Sequence, residues 1–286
     1  MPDDTASTKV PLSHLEVEEK AKRAASFGGV ASHYERYRPG PSSTAVDWLL
    51  PERIRRVVDL GAGTGALTRI LVDRADEVVA VEPDDRMRAV LEESVQGVRV
   101  VKGTGESIPL PDGGADAVLA SSSWHWMDPE RAVPEVARVL VPGGTLGVIW
   151  SGPDPEGAFL VQAQALLAEQ SRSAAASGGE GDPGRPDFAG MVMRDAQRPA
   201  STLEIPEGSP FAQPEHVVFH WDMALTADDL IGMLGTFSWI LMMDDATRAG
   251  VLAEARRLLK ELLGVEGDVT VDIGFRADTW RTCLTS

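Results

Sequence analysis

Apolar residues fall into short blocks along this chain, divided by glycine, proline and charged turns. Val57, Val58 and Leu60 form one such run, which predicts a buried strand. Residues 77–81, 98–101, 115–120 and 146–150 repeat the pattern and predict four more strands, the fourth central by its apolar content. Helix-like stretches lie between them at 42–50, with Val46 and Leu49 or Leu50 inward, at 66–74 and at 129–140. Pro129 suits a first helical position after the cap Asp128, whereas Pro134 lacks an N–H and predicts a kink or split. Further on, the pattern predicts a helix over 156–170, a strand over 217–223, a helix over 227–237 capped by Thr226, and a long amphipathic helix over 244–263. Two extended segments, 269–275 and 279–284, end the chain. Residues 1–11 read as a loose tail. Residues 12–25 read as a surface helix, with Ser13 and Glu16 at capping-box spacing. Residues 171–186 are rich in Ser, Ala, Gly and Pro and read as a flexible loop.

The first strand runs directly into Gly61-Ala62-Gly63-Thr64-Gly65. Strand, glycine turn and helix together lay a ligand across the carboxyl end of a strand. Gly61 permits the tight turn, Gly63 lets backbone come close to a ligand, and Gly65 removes a side chain where the helix begins. Asp59 stands just before the turn. Glu82 follows Asp59 by 23 positions and closes the second strand. An acidic residue there accepts hydrogen bonds from a ribose hydroxyl pair, a role shared by several adenosine-containing cofactors. Gly61, Gly63 and Ala66 also satisfy the dinucleotide pattern, so the turn alone leaves a nicotinamide cofactor open.

Composition narrows the setting. The 286 residues suffice for one large domain, or a domain with a substantial insertion. No apolar run approaches the length of a membrane span, and the first 25 residues hold no signal-peptide core. One cysteine, Cys283, allows no internal disulfide and points to a reducing, cytoplasmic setting. The formal net charge of −17 repels nucleic-acid phosphates, and no Lys/Arg cluster is interleaved with aromatics. Nucleic-acid and membrane partners are therefore not expected. No Cys/His cluster has metal-site spacing, so no metal is expected, and His33, His216 and His220 show no convincing partners.

The stretch VVDLGAGTGALTRIL resembles motif I of the class I S-adenosylmethionine-dependent methyltransferases. FGGVASHYERYRPGP, residues 27–41, is similar to a segment of small-molecule methyltransferases that forms a helix over the cofactor pocket. Ala31, Tyr34, Tyr37 and Arg38 fit that pattern. The resemblance then implies that Tyr34 lies near the ligand and Arg38 meets a carboxylate of cofactor or substrate, while Tyr34 reads equally as core and Arg38 as a surface ion pair. The run from Gly103 through Thr104, Gly105 and Glu106 to Asp112 resembles a third family string. It departs from that string at Thr104, where Asp often binds the adenine amino group. After the fourth strand come Ser121, Ser122, Trp124, His125, Trp126 and Asp128, then Arg138-Val139-Leu140 and Pro142-Gly143-Gly144. This set resembles trans-aconitate-like and ubiquinone-type methyltransferases (methyltransferase type 11), and favours S-adenosylmethionine over a nicotinamide.

The resemblance implies a Rossmann-like, doubly wound α/β fold. Its seven-stranded, mostly parallel sheet carries an antiparallel C-terminal strand and a cap insertion after strand five. It also implies boundaries: 1–26 as tail and helix, 27–150 as the cofactor-binding core, 151–215 as a lid with a flexible loop, and 216–286 completing the sheet. Asp59, Gly61, Ala62, Gly63, Gly65, Glu82, Pro83, Met87, Thr104, Gly105, Glu106 and Ser121 are the implied cofactor-binding residues. Met87 reads equally as core, and Glu106 as a carboxylate that fixes its loop.

Methyl transfer from a sulfonium is an in-line displacement on an already activated methyl, so the protein mainly positions the reactants. S-adenosylhomocysteine is the product. His125 is a candidate base or orienting residue, since an unperturbed imidazole titrates near neutrality. Arg38, Trp126 and Tyr34 complete the candidate catalytic set. Trp124, Trp126 and Trp239 can supply an aromatic wall, whose ring faces attract a sulfonium, although at least one of the three reads as plain core. The expected function is methyl transfer to O, N or C of a small molecule. The alternatives are a macromolecular (RNA or protein) acceptor, or cofactor binding without catalysis. The sequence leaves the oligomeric state open.

Overall fold

The structure, a computed structural model, describes residues 36–37, 40–176 and 202–285. Seven strands form one sheet: β1 (Arg56–Leu60), β2 (Glu77–Val81), β3 (Arg99–Val101), β4 (Ala115–Ser121), β5 (Leu140–Pro153), β6 (Glu215–Thr226) and β7 (Thr270–Cys283). Their spatial order is β3-β2-β1-β4-β5-β7-β6, so the chain changes direction between β1 and β4. The pairs from β3 through β5 are parallel, and only β7 runs antiparallel to both of its neighbours. This is the expected Rossmann-like sheet.

The register of β1 is pinned by a charge at its start. Asp116 Oδ2 accepts the backbone N–H groups of Arg55 (3.0 Å) and Arg56 (2.7 Å), which aligns β1 with β4. Val57, Val58 and Leu60 are fully buried, as a strand with both faces covered requires. One face packs Val58, Leu60, Val118, Ala120 and Val148 beneath helix α4 (Pro129–Val139). The other packs Val57, Ala117, Leu119 and Ile149 beneath α1 (Ser43–Leu49) and α2 (Thr68–Leu71). Helix α3 (Asp85–Ser94) begins at an Asp84 cap that accepts the N–H groups of Arg86 and Met87. After β5 comes α5 (Ala158–Ala176). Leu203 and Phe211, from the segment before β6, are buried in the same cluster as Val148. Helix α6 (Ala227–Leu234) starts with a full capping box between Thr226 and Asp229. Short α7 (Ser238–Leu241) and long α8 (Asp245–Leu263) lead into β7.

Several expectations need correction. Pro134 does not split its helix: α4 runs unbroken from Pro129 to Val139 with Pro134 inside it. Pro134 is exposed, so the carbonyl one turn back that loses its donor faces water. The predicted helix over 66–74 shrinks to four residues, because the glycine turn occupies its first part and Gly65 holds a φ of +94°. Residues 269–275 and 279–284 are not two segments but parts of the 14-residue strand β7, paired on both sides. Residues 171–176, read as loop, extend α5. The predicted N-terminal tail and helix lie outside the described residues.

Candidate active site

The site is built where the sheet reverses direction, the place where open α/β sheets bind ligands. Gly61 and Ala62 both donate their N–H groups to the carbonyl of Val81 (2.8 and 3.1 Å), so the turn after β1 folds over the end of β2. Gly61 has a φ of +71°, and a Cβ there would lie 2.6 Å from Ser123 Cβ. Ser123 is held in place by donating to the carbonyl of Leu60 at 2.7 Å. Gly63, with a φ of +58°, faces open space: nothing lies within 4 Å of where its Cβ would be. Gly65 sits beneath Leu91 and Val95, and Ala62 is buried against the same pair.

Two carboxylates stand under this turn. Asp59 is 1% exposed; its Oδ2 accepts the Thr68 hydroxyl at 2.6 Å, and its Oδ1 is buried without a partner. Burial pushes its carboxyl up to about 7; the Thr68 hydrogen bond opposes this, and the nearby charge of Glu82 adds to it. Glu82 is also buried, and both its oxygens are engaged: Oε2 accepts the Gly63 N–H and Oε1 the Asp84 N–H, each at 2.9 Å. Burial raises its carboxyl above the ordinary range, against those two N–H donors. Glu82 therefore clamps the turn to the start of α3, a contact that its expected ribose role did not include. Glu82→Ala leaves both N–H groups without their acceptor but relieves a buried charge. The expected net loss is about 1 kcal/mol in urea denaturation, with hydrogen-exchange protection lost at the Gly63 and Asp84 amides. Of the neighbouring candidates, Pro83 is exposed and Met87 is buried on α3.

Residues 103–107 form a tight loop in which Thr104 and Ser107 exchange backbone hydrogen bonds of 3.2 Å, with Thr104 exposed. A Cβ on Gly105 would overlap Met127 Sδ, so a side chain there requires the Met127 side chain to shift. Glu106 Oε1 accepts the Asp128 N–H at 2.9 Å and ties this loop to the cap of α4. The loop-fixing reading of Glu106 is thus the geometry present.

Strand β4 ends at Ser121, and Ser122 takes a φ of +53°. A non-glycine residue in that region is strained, and such strain concentrates at functional sites. The bend carries the chain into a single helical turn, Trp124–Trp126. Trp124 is 3% exposed and belongs to the core cluster, the plain-core place expected of at least one of the three tryptophans. His125 is exposed, its ring 4.5 Å from that of Trp126, and its Nδ1 accepts the indole N–H of Trp150 at 3.2 Å.

Tyr34 and Arg38 lie outside the described residues, as does the side chain of Trp239. The structure does bring Asp59, Gly61, Gly63 and Glu82 together, with His125 and Trp126 on the segment after the adjacent strand end. It also corrects the reading of two histidines as partnerless. His220 Nδ1 lies 2.9 Å from Asp154, and His216 Nε2 lies 3.3 Å from Asp278. Three residues of the site escaped sequence reading: Thr68, Ser123 and Trp150. Thr68 stands nine positions after Asp59, on the helix behind the turn, and could have been suspected as its partner. Ser123 and Trp150 gave no local sign, because their roles are contacts across the sheet. Among the described residues, no group of three or more His, Cys, Asp or Glu is placed to hold a metal. None of the described helices is long and apolar enough to cross a membrane.

This geometry defines a Rossmann-like α/β protein with a glycine-turn cleft at its switch point. A family model described as a methyltransferase domain matches residues 58–148, from β1 to β5. An uncharacterized methyltransferase of Mycobacterium tuberculosis is 38% identical over 234 residues, covering 82% of this chain and 85% of its own. The demethylmenaquinone methyltransferase of Thermus thermophilus is 38% identical over 122 residues, 40% of this chain and 56% of its own. A solved structure from Anaeromyxobacter dehalogenans, provisionally assigned as a type II methyltransferase, shares the fold with a TM-score of 0.54 at 22% identity. It covers 86% of this chain and 97% of its own. The chain belongs to the methyltransferase family.

Proposed function

We propose that this methyltransferase uses S-adenosylmethionine and transfers its methyl group to O, N or C of a small-molecule acceptor. The observation that carries the reading is the pairing of open backbone at Gly63 with two buried carboxylates beneath it, Asp59 and Glu82. The unpartnered Oδ1 of Asp59 is a buried acceptor that a ligand amino or hydroxyl group would satisfy. Glu82 uses one lone pair on each oxygen for the turn and keeps the others for a ribose diol. These residues fit an adenosyl cofactor. Asp59, Glu82 and the glycine turn would hold it, with Pro83, Met87, Thr104 and Ser121 around them. Arg38 and Tyr34 complete the set as proposed contacts.

When bound, the cofactor supplies a methyl group already activated on a sulfonium. The chain's own residues bind, orient and exclude water. A low-molecular-weight acceptor is supported by the net charge of −17, which disfavours a nucleic-acid acceptor, and by the partial likeness to an enzyme named for demethylmenaquinone. Ser151–Pro153 complete β5 and Glu215 opens β6, so the cap over the acceptor is proposed for the segment between them, of which residues 177–201 lie outside the described residues.

The test is calorimetric titration with S-adenosylhomocysteine, with NADH as control. Micromolar binding of the former alone is the expected result, and a preference for NADH would overturn the reading. Labelled S-adenosylmethionine with a panel of acidic and phenolic small molecules then finds the acceptor.

A further inference from the structure

We infer that Trp150 is a positioning residue that locks His125 in one tautomer, so that His125 acts in the methyl-transfer site as a hydrogen-bond donor and not as a base. The inference deepens the proposed function and rests on it only for the identity of the reaction.

An indole N–H can donate but never accept. The 3.2 Å contact between Trp150 Nε1 and His125 Nδ1 must therefore end on an imidazole lone pair. In neutral imidazole one nitrogen carries the proton and the other the lone pair. With the lone pair of Nδ1 engaged, the proton is on Nε2. Neither nitrogen is then a base: Nδ1 is occupied by Trp150 and Nε2 is already protonated. To take a proton, His125 would first have to give up the Trp150 hydrogen bond.

The fold holds the two rings beside each other. Trp150 is on β5 opposite Asp278 of β7, and its strand neighbours Ile149 and Ser151 pair with Thr279 and Ala277 in the same ladder. It also packs, with Trp280, against the buried cluster that holds Val148. His125 is fixed from its own side by the helical turn Trp124–Trp126, whose buried Trp124 anchors it, and by the Trp126 ring. A rigid strand thus sets the tautomer of a residue on an exposed turn, the usual way in which the second nitrogen of a histidine is assigned its role. Methyl transfer is compatible with this. The acceptor's lone pair forms the new bond to carbon while the carbon–sulfur pair returns to sulfur, and any proton on the acceptor leaves by a route other than His125.

The test is nitrogen-15 NMR of the full-length protein labelled at histidine. The expected spectrum for His125 has a pyridine-type Nδ1 and a pyrrole-type Nε2 at pH 8. Trp150→Phe keeps an aromatic ring and removes the donor, so His125 is expected to populate both tautomers in a variant that circular dichroism shows to be folded. A pyrrole-type Nδ1 in the parent would overturn the inference without any variant. So would an unchanged tautomer in a folded Trp150→Phe protein. The spectrum needs neither cofactor nor acceptor, so loss of the S-adenosylmethionine reading by calorimetry would be seen separately.

Discussion

Asp59→Asn is expected to stabilise the protein at pH 8 while weakening binding of the proposed cofactor. Asp59 is fully buried, with a carboxyl raised from 3.8 to about 7. A raised carboxyl means that the folded state holds the proton more tightly than the unfolded chain does. Its contribution to stability is therefore complete below about pH 3.8, falls as pH rises through the window to about 7, and is flat above that. The full fall is roughly 4 kcal/mol at about 1.4 kcal/mol per pH unit. Asparagine never ionises and so has no such fall. Its amide oxygen can still accept the Thr68 hydroxyl, but its NH2 lands where Oδ1 now stands without a partner, at a cost of about 1–3 kcal/mol. The balance is a gain of roughly 1–3 kcal/mol at pH 8. Below pH 4 the parent is the more stable of the two. Urea denaturation at pH 4, 6 and 8 reads both signs. Affinity for S-adenosylhomocysteine, measured at pH 8, is expected to fall at least tenfold, since a charged acceptor has become a donor. A parent stability that does not decline between pH 4 and 7 relative to the variant would contradict the burial argument. A stabilised variant with unchanged affinity would instead remove Asp59 from the cofactor site. A site residue whose removal stabilises the fold is what function held against stability looks like.

Much of this was legible beforehand because it is local. The strand VVDL, the glycine spacing and the carboxylate at the end of β2 are each written in a few adjacent residues. The mostly parallel sheet with its antiparallel C-terminal strand followed from the motifs once the family resemblance was seen. What stayed hidden depends on partners remote in sequence. Ser123 fills the space that Gly61 leaves, 62 positions away, and Trp150 reaches His125 from the next strand. Glu82 read as a ligand contact, but its two bonds to backbone N–H groups depend on the turn's conformation, which spacing does not encode. Pro134 misled for the converse reason. A local rule predicted a break, but helix α4 buries Ala132, Val133, Val136 and Val139, and that packing carries the helix past the missing donor.

Gly61→Ala and Gly63→Ala are expected to fail in opposite ways, although both residues belong to one motif and both hold a positive φ. Any side chain at either position meets the left-handed strain of about 1–2 kcal/mol. At Gly61 the added methyl also meets Ser123 Cβ at 2.6 Å and its Oγ at 2.8 Å. Ser123 Cβ is fixed to the backbone, and the hydroxyl is committed to Leu60, so neither can swing away. Overpacking of this kind adds about 1–3 kcal/mol, which makes Gly61→Ala roughly 2–5 kcal/mol destabilising in urea. Ser123→Gly in the same chain removes the obstructing Cβ, so the double variant should recover the overpacking part and leave the strain, a clear non-additivity. Gly63→Ala has no such obstruction, because its space is open. It should lose only the strain of about 1–2 kcal/mol and stay folded. Yet its methyl stands where the proposed cofactor approaches the backbone, so binding of S-adenosylhomocysteine should become undetectable by calorimetry. Equal destabilisation at the two positions would refute the packing role given to Ser123. Full affinity in Gly63→Ala would move the cofactor off the glycine turn, and with it the assignment of Asp59 and Glu82.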